Sequence, residues 1–292
     1  MAKMILTLDI EAMQLGQYDD PVNIFELSEK QALQPELRLH QQGCLRHFSF
    51  DHTVTERLLE LRWDADAVFI LLPEAPIVQA KGKDYQRLLD LIPSIKGLAK
   101  VYLFPYGRSA LQLAMRQAVK LISLQQVSDI QLIAYHEDPR LITLVREPST
   151  PASQCFIAGR LRPADKGFVI PWTSYEVQTS DKSTQATIAA LIQRYQRQCG
   201  KSLSQCYFPT ALPQALRDGW LHSVEYFQDS LTSRSQFIFA DALIGDLGVC
   251  SGIYNLCHCL MLYQQQKYVG TSFQLALSDD AYRSAMTLRW VA

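Results

Sequence analysis

The chain has 292 residues, 48% hydrophobic and 20% charged, the balance of a globular protein that buries a sizeable core. Its 28 basic and 29 acidic side chains leave a formal net charge of −1. The basic residues are scattered rather than gathered into an arm, so no nucleic-acid or membrane-surface footprint is expected.

The length allows one large domain or two intimately packed halves. No apolar run approaches the roughly 20 residues of a spanning helix. The start, Met1 to Asp9, does not read as a secretory signal. Seven cysteines, an odd number, then predict free thiols in a reducing cytoplasm.

In chain order, residues 4–10 predict a short strand. Residues 34–62 are polar and basic with helical pieces, clearest over Thr53–Leu61. Ala67–Leu72 is a β-rich apolar run closed by Pro73, as a buried strand should be. Tyr85–Leu91 predicts a helix ended by Pro93. Val101–Phe104 predicts a strand stopped by Pro105 and Gly107. Over Ser109–Leu124, the residues Ala110, Leu111, Leu113, Ala114, Ala118, Leu121 and Ile122 cover most of a helix circumference, so this helix should be central. Ile130–Tyr135 follows as a strand, and strand, turn, buried helix, strand implies a parallel βαβ unit.

Residues 147–154 read as a loop, and 155–161 and 167–172 as strands. Ser183–Gln198 reads as an amphipathic helix stopped by Gly200. Leu203–Phe208 and Phe237–Leu243 read as strands, the second leading into a glycine turn. Tyr268–Leu275 and the alternating Met286–Trp290 close the chain. The strand, tight turn, buried helix pattern thus occurs twice, around 101–135 and 237–276, which suggests an internal duplication. The halves are expected over 1–154 and 155–292, as one compact unit.

The glycine turn carries the most information. Gly245-Asp246-Leu247-Gly248-Val249-Cys250-Ser251-Gly252 runs straight into Ile253–Tyr263, a segment apolar on every side and therefore a buried helix. Gly107, Gly245, Gly248 and Gly252 are expected where a turn or close approach excludes a Cβ. Asp246 can accept hydrogen bonds from N–H groups of its own turn, in the manner of a helix cap. Arg108 and Ser109 could bind an anion at the start of the first central helix. Against this, Ser109 could serve as a helix cap, with Arg108 on the surface or in an interface. Cys250 lies near a helix N-terminus, where a thiol pKa can fall, or it is a small buried filler. Cys155 follows the Pro/Ser-rich loop and could be exposed. Cys257, His258 and Cys259 look metal-like, but residues two apart on a helix point to nearly opposite sides; a structural role and no metal are expected. His136, Glu137 and Asp138 could suggest acid/base work, though such a run is commonly a solvated loop.

The Gly245–Gly252 stretch resembles the Gly-His-x-x-Gly-Ala-x-Gly turn and helix of β-ketoacyl synthases and thiolases. Tyr106-Gly107-Arg108-Ser109-Ala110-Leu111-Gln112-Leu113-Ala114 resembles the nucleophile elbow of that family, and Val127–Ile133 the strand after it. Pro35–Phe48 is similar to an early Arg-rich segment. The resemblance implies an α/β, thiolase-like fold in shortened form: two pseudo-repeated halves with central buried helices between sheets. Family chemistry needs an elbow cysteine and two basic side chains. Here the elbow has no cysteine, the loop expected to hold the first histidine reads Phe208-Pro209-Thr210-Ala211-Leu212-Pro213, and the second histidine is replaced by Asp246.

What this implies is a catalytically silent homologue, chain-length-factor-like, acting as a partner subunit or accessory protein in acyl-chain synthesis of fatty acid or polyketide type. It implies a homodimer, or a heterodimer with an active ketoacyl synthase, formed around Val101–Phe104. It also implies contact with acyl carrier protein and no cofactor. Two other classes stay open: an acyl-thioester enzyme with a relocated nucleophile at Cys155 or Cys250, and a small-molecule binding or scaffold protein.

Overall fold

A computed structural model describes residues 4–27, 33–40, 43–50, 54–74, 100–143 and 150–292. The helix expected over Tyr85–Leu91 lies outside the described residues. The strands are β1 (Leu6–Leu15), β2 (Glu36–His40), β3 (Gly43–Phe48), β4 (Ala67–Leu72), β5 (Val101–Pro105), β6 (Ile130–Glu137), β7 (Ala152–Pro163), β8 (Gly167–Val177), β9 (Leu203–Tyr207), β10 (Leu231–Ile238), β11 (Thr271–Leu277) and β12 (Tyr282–Val291).

Ten of them follow one path, β10-β9-β11-β12-β8-β1-β7-β6-β4-β5. This path is two copies of one arrangement. With the strands of each copy numbered in chain order, both β5-β4-β6-β7-β1 and β10-β9-β11-β12-β8 read 3-2-4-5-1. The pairings also match in sense: β4 lies parallel to β5 and β6, and β9 parallel to β10 and β11. The remaining pairs, β6–β7, β7–β1, β11–β12 and β12–β8, are antiparallel. A single pair, Leu6 with Phe168, joins the copies. A division at 154/155 would cut through β7, which pairs with β1 from Pro163 to Cys155. The change from one copy to the other instead falls at residues 164–166, between β7 and β8.

Strand alternation builds the layers. In β4, Ala67, Phe69 and Leu71 face the main core, while Val68 and Ile70 face a second cluster with Leu58 of the helix Val54–Glu60 and Leu61 just after it. In the other copy, Met286 and Leu288 face the main core. Phe273, Leu275 and Ala285 face the helices Thr184–Gln198 and Gln214–Ser223. Among the described residues the layers are helix, sheet, helix pair, sheet, helix pair, with the main core between the sheets.

That core holds the two central helices, Ala110–Ser123 and Ser251–Gln264. Leu111, Ala114, Met115 and Ala118 are wholly buried; burial of a side chain the size of Leu or Met contributes about 1.5–3 kcal/mol. The first helix keeps a narrow exposed strip at Arg116, Lys120 and Ser123, and the Arg116 guanidinium lies 5.5 Å from the ring centroid of Tyr175. The helices touch closely because one carries a glycine: a Cβ on Gly252 would sit 2.8 Å from Cβ of Leu111.

Three expectations change. Pro35–Phe48 contains the β2–β3 hairpin, which rests on β7 through His47–Ala152 and Phe48–Ser153. The strand expected over Phe237–Leu243 ends at Ile238, and Ala240–Ile244 is helical. The helix Gln214–Ser223, unforeseen, starts after Pro213 and buries Leu216 and Trp220.

The metal-like triplet points three ways. The Cys259 thiol lies 3.3 Å from Ser272 Oγ, as donor. His258 Nδ1 lies 2.7 Å from the Tyr207 hydroxyl. Cys257 is buried, and burial pushes its thiol up to about 12. Burial likewise pushes His258 down to about 4, against a weak upward pull from Glu26. A histidine that resists protonation in the folded state stabilises the fold above its unfolded value of about 6.5. That contribution is lost as pH falls from there through the folded value. Stability at about pH 5 is expected to be lower than at pH 7 by about 2 kcal/mol from this residue. Denaturant titrations at the two pH values check it, and His258→Gln should flatten the slope.

Candidate functional site

The C-terminal ends of β5 and β6, the β11–β12 turn and the glycine turn converge on the heads of the two central helices. After β5, Gly107 adopts φ +55; a Cβ there would lie 3.1 Å from Glu74 Cβ and 3.2 Å from Ser278 Oγ. The chain then makes a short 3-10 turn, Gly107–Ser109, into the first helix. Ser109 does not cap this helix with its side chain. Its hydroxyl donates to the carbonyls of Ala276 (3.3 Å) and Tyr282 (3.2 Å), and its N–H donates to Ser278 Oγ at 3.0 Å. Ser278 in turn donates to Tyr106 O at 2.5 Å. Ser109 therefore ties the elbow to the β11–β12 turn of the other copy.

Arg108 is buried, so the surface placement considered from sequence is overturned. Its guanidinium forms ion pairs with Asp246 and with Asp279, the latter at 2.6 Å, and donates to Ala211 O at 3.2 Å. All three partners belong to the second copy. Burial opposes the charge on Arg108, but the two carboxylates more than offset this and raise its pKa. The charge balance follows: one guanidinium facing two carboxylates leaves a net negative group, which disfavours an external anion.

Asp246 also keeps the local role expected of it, since its Oδ1 accepts the N–H of Gly248 at 2.8 Å. Burial pulls its carboxyl up; Arg108, His136 and the Gly248 N–H pull it down and prevail, leaving it below the ordinary carboxylate value. Asp241, at the start of the short helix before the turn, is a third acidic anchor. It accepts from Thr210 N, Thr210 Oγ1 and Ala211 N, each at 2.6 Å. That fixes the loop whose Ala211 carbonyl meets Arg108. Burial raises the Asp241 carboxyl, and the hydrogen bonds only partly counter it.

The turn glycines sit in special geometry. Gly245 has φ +82 and would place a Cβ 2.2 Å from Pro151 O; Gly248 has φ +47 and would place one 2.2 Å from His136 Nδ1. His136 thus packs on the turn beside Asp246 and Arg108. Burial lowers its pKa, Asp246 opposes this and Arg108 adds to it. The run 136–138 is not a solvated loop: only Glu137 is exposed, and Asp138 is buried against Arg140 at 2.6 Å.

The two candidate thiols lie elsewhere. Cys155 is wholly buried in β7 rather than exposed after the loop. Cys250 is wholly buried, 3.5 Å from Cys155 O, and burial raises its thiol well above the ordinary value rather than lowering it.

Between the helix heads and the 208–212 loop lies a cavity of about 20 Å³. Among the residues lining it are Arg108, Gln112, Asp241, Ser251 and Asn255. The structure therefore brings together Arg108, Ser109, Asp246, Gly107, Gly245, Gly248 and Gly252, and leaves Cys155 and Cys250 outside. Sequence reasoning missed Asp241, Ser278 and Asp279. The Ser278-Asp279-Asp280 run between two alternating strands marks a turn, which was the available signal.

These elements define a thiolase-like fold: two like-ordered sheets around a helix pair, with a centre at the helix heads. Solved structures with the same fold include the ishigamide ketosynthase/chain length factor, with TM-score 0.64, 12% identity, and 98% of this chain and 100% of that one covered. The type II PKS acyl-carrier protein complex with its ketosynthase bound to the hexaketide, AntDE:AntF, gives 0.63 and 10%, covering 99% and 100%. The 3-oxoacyl-(acyl carrier protein) synthase III of Pseudomonas aeruginosa gives 0.56 and 12%, covering 99% of each chain. No family model matches the sequence, and no curated protein matches it. Among the described residues, no helix is long and apolar enough to cross a membrane.

Proposed function

We propose that this chain is a catalytically silent ketosynthase homologue that serves acyl-chain synthesis as a partner subunit. The observation that carries the proposal is the Arg108–Asp246 ion pair at the helix heads. Condensation needs a thiolate at the elbow and neutral or cationic donors around it. Here the elbow presents a guanidinium, and the turn presents a carboxylate held below its ordinary pKa. The relocated-nucleophile alternative has little support, because a fully buried thiol with a raised pKa supplies no thiolate near neutral pH, and Cys250 is such a thiol.

The pairing surface we propose is β5. It ends the strand path, and Val101, Tyr102 and Leu103 are half-buried. Among the described residues, no strand pairs with its outer edge. An unpaired edge with partly apolar side chains is a template for another strand, although Pro105 at its end lacks an N–H. The partner can be a second copy or an active ketosynthase. Ketosynthase/chain length factor and carrier-protein complexes among the fold neighbours favour the second.

The test is co-expression with an active ketosynthase and an acyl carrier protein from the native cell, followed by purification through a tag on this chain. Recovery of a stable pair that buries well above about 1,000 Å² is expected. Alone, the chain should not condense acyl and malonyl thioesters above background. A monomer that recovers neither partner would overturn the pairing. Turnover by the isolated chain, abolished at one residue, would overturn the silence.

A further inference from the structure

The centre of this protein is filled from within. Arg108 comes from one copy of the fold; Asp246, Asp279 and the Ala211 carbonyl come from the other. The backbone donors around it are also engaged. The N–H groups of Ser109, Ala110, Gly248, Cys250 and Ser251 all donate to acceptors of the protein itself. A thioester carbonyl arriving here would find no free donor among these five. Space is equally short: the adjoining cavity of about 20 Å³ admits about one water molecule. Its wall includes the buried Gln112, whose Oε1 has no partner among the described residues, so its chemistry suits a small hydrogen-bond donor rather than an acyl chain.

We infer that Arg108 is a built-in occupant of the centre, which closes the chain to acyl thioesters and confines its part in acyl-chain synthesis to the surfaces it offers a partner. This rests on the proposed function above. The chain itself then carries no acyl group at any stage. Removing the guanidinium should uncover a site shaped for it: two carboxylates and a carbonyl arranged for planar, forked donors.

The probes are octanoyl-pantetheine and guanidinium ion. Native mass spectrometry and calorimetry on the full chain, alone and paired with its partner, are expected to detect no bound or transferred octanoyl group in this chain. Arg108→Gly is expected to bind the thioester at least about tenfold more tightly than the natural protein. Its melting temperature should also rise with millimolar guanidinium, while that of the natural protein does not. Arg108→Met fills the volume without the charge and should stay closed. If Arg108→Gly fails to fold, Arg108→Gly with Asp246→Asn removes an unpaired carboxylate and serves the same test. Stoichiometric octanoyl binding or acylation of the natural chain overturns the inference, whatever the variants do. So does a folded glycine variant that gains neither ligand. A chain that pairs with a ketosynthase yet takes the thioester sinks this inference alone; one that takes no thioester and finds no partner sinks only the pairing.

Discussion

Gly245→Ala is expected to lower the melting temperature by about 3–10 °C and to reduce soluble yield. Two independent penalties meet at this residue. Its φ of +82 is one that L-side chains rarely adopt, and such a conformation costs on the order of 1–3 kcal/mol. The added Cβ would also lie 2.2 Å from Pro151 O and 2.3 Å from Ser153 Oγ. The first of these is backbone, which cannot swing aside, and Ser153 is tied down because its hydroxyl donates to Ile244 O. Overpacking adds about 1–3 kcal/mol more. Against a total stability of about 5–15 kcal/mol the sum is large. Gly252→Ala is the control: it meets Leu111 at 2.8 Å but has ordinary helical φ, so a smaller loss is expected. Thermal melts of the two variants beside the natural chain decide it. A Gly245→Ala protein as stable as Gly252→Ala would refute the reading of this turn.

The elements with strong local patterns were legible in the sequence. Ala67–Leu72 and Ser109–Leu124 declare themselves by apolar run and by periodicity, and both are buried elements of the fold. The segment Phe237–Leu243 misled because Phe, Ile and Leu favour strands. What ends β10 there is tertiary: the Asp241 carboxylate gathers Thr210 and Ala211, a partner thirty residues away that no local window contains. Gln214–Ser223 was missed for a similar reason, since its helical face becomes apolar only once Leu216 and Trp220 are counted with the Phe208 ring. Phe208 stacks on Trp220 at 5.0 Å.

The site divides along the same line. Glycines at 107, 245, 248 and 252 announce tight backbone. Asp246 as a turn cap follows from its place two residues before the N–H it holds. Arg108, Asp246 and Asp279 are separated by 138 and 171 positions from Arg108, so their meeting is a property of the duplicated topology. Nothing in the residues near Arg108 distinguishes a buried arginine held by two carboxylates from a surface cation.

Asp246→Ala tests whether that meeting matters more than the cap. A lost cap costs about 1 kcal/mol, whereas removing one partner of a buried ion pair costs about 3–5 kcal/mol, because the other charge is left uncompensated. The lower end, about 3 kcal/mol, is expected here, since Asp279 still meets Arg108 at 2.6 Å and is itself largely exposed. In an Arg108→Met background the same substitution should cost about 1 kcal/mol or less, because the Gly248 hydrogen bond is the main contact left to lose, beside a pull from His136. The difference between the backgrounds is the coupling of the two side chains, and double-mutant cycles isolate it. The pH dependence carries the same sign. The Asp246 carboxyl lies below its ordinary value in the folded chain, so its contribution is complete above the unfolded value of about 3.9. As pH falls through the lower folded value that contribution is lost, and the gap between Asp246→Ala and the natural chain should narrow. Denaturant melts of the four proteins at neutral and acid pH give both quantities. Equal losses in the two backgrounds would reduce Asp246 to a cap and remove the ion pair from the account of this centre.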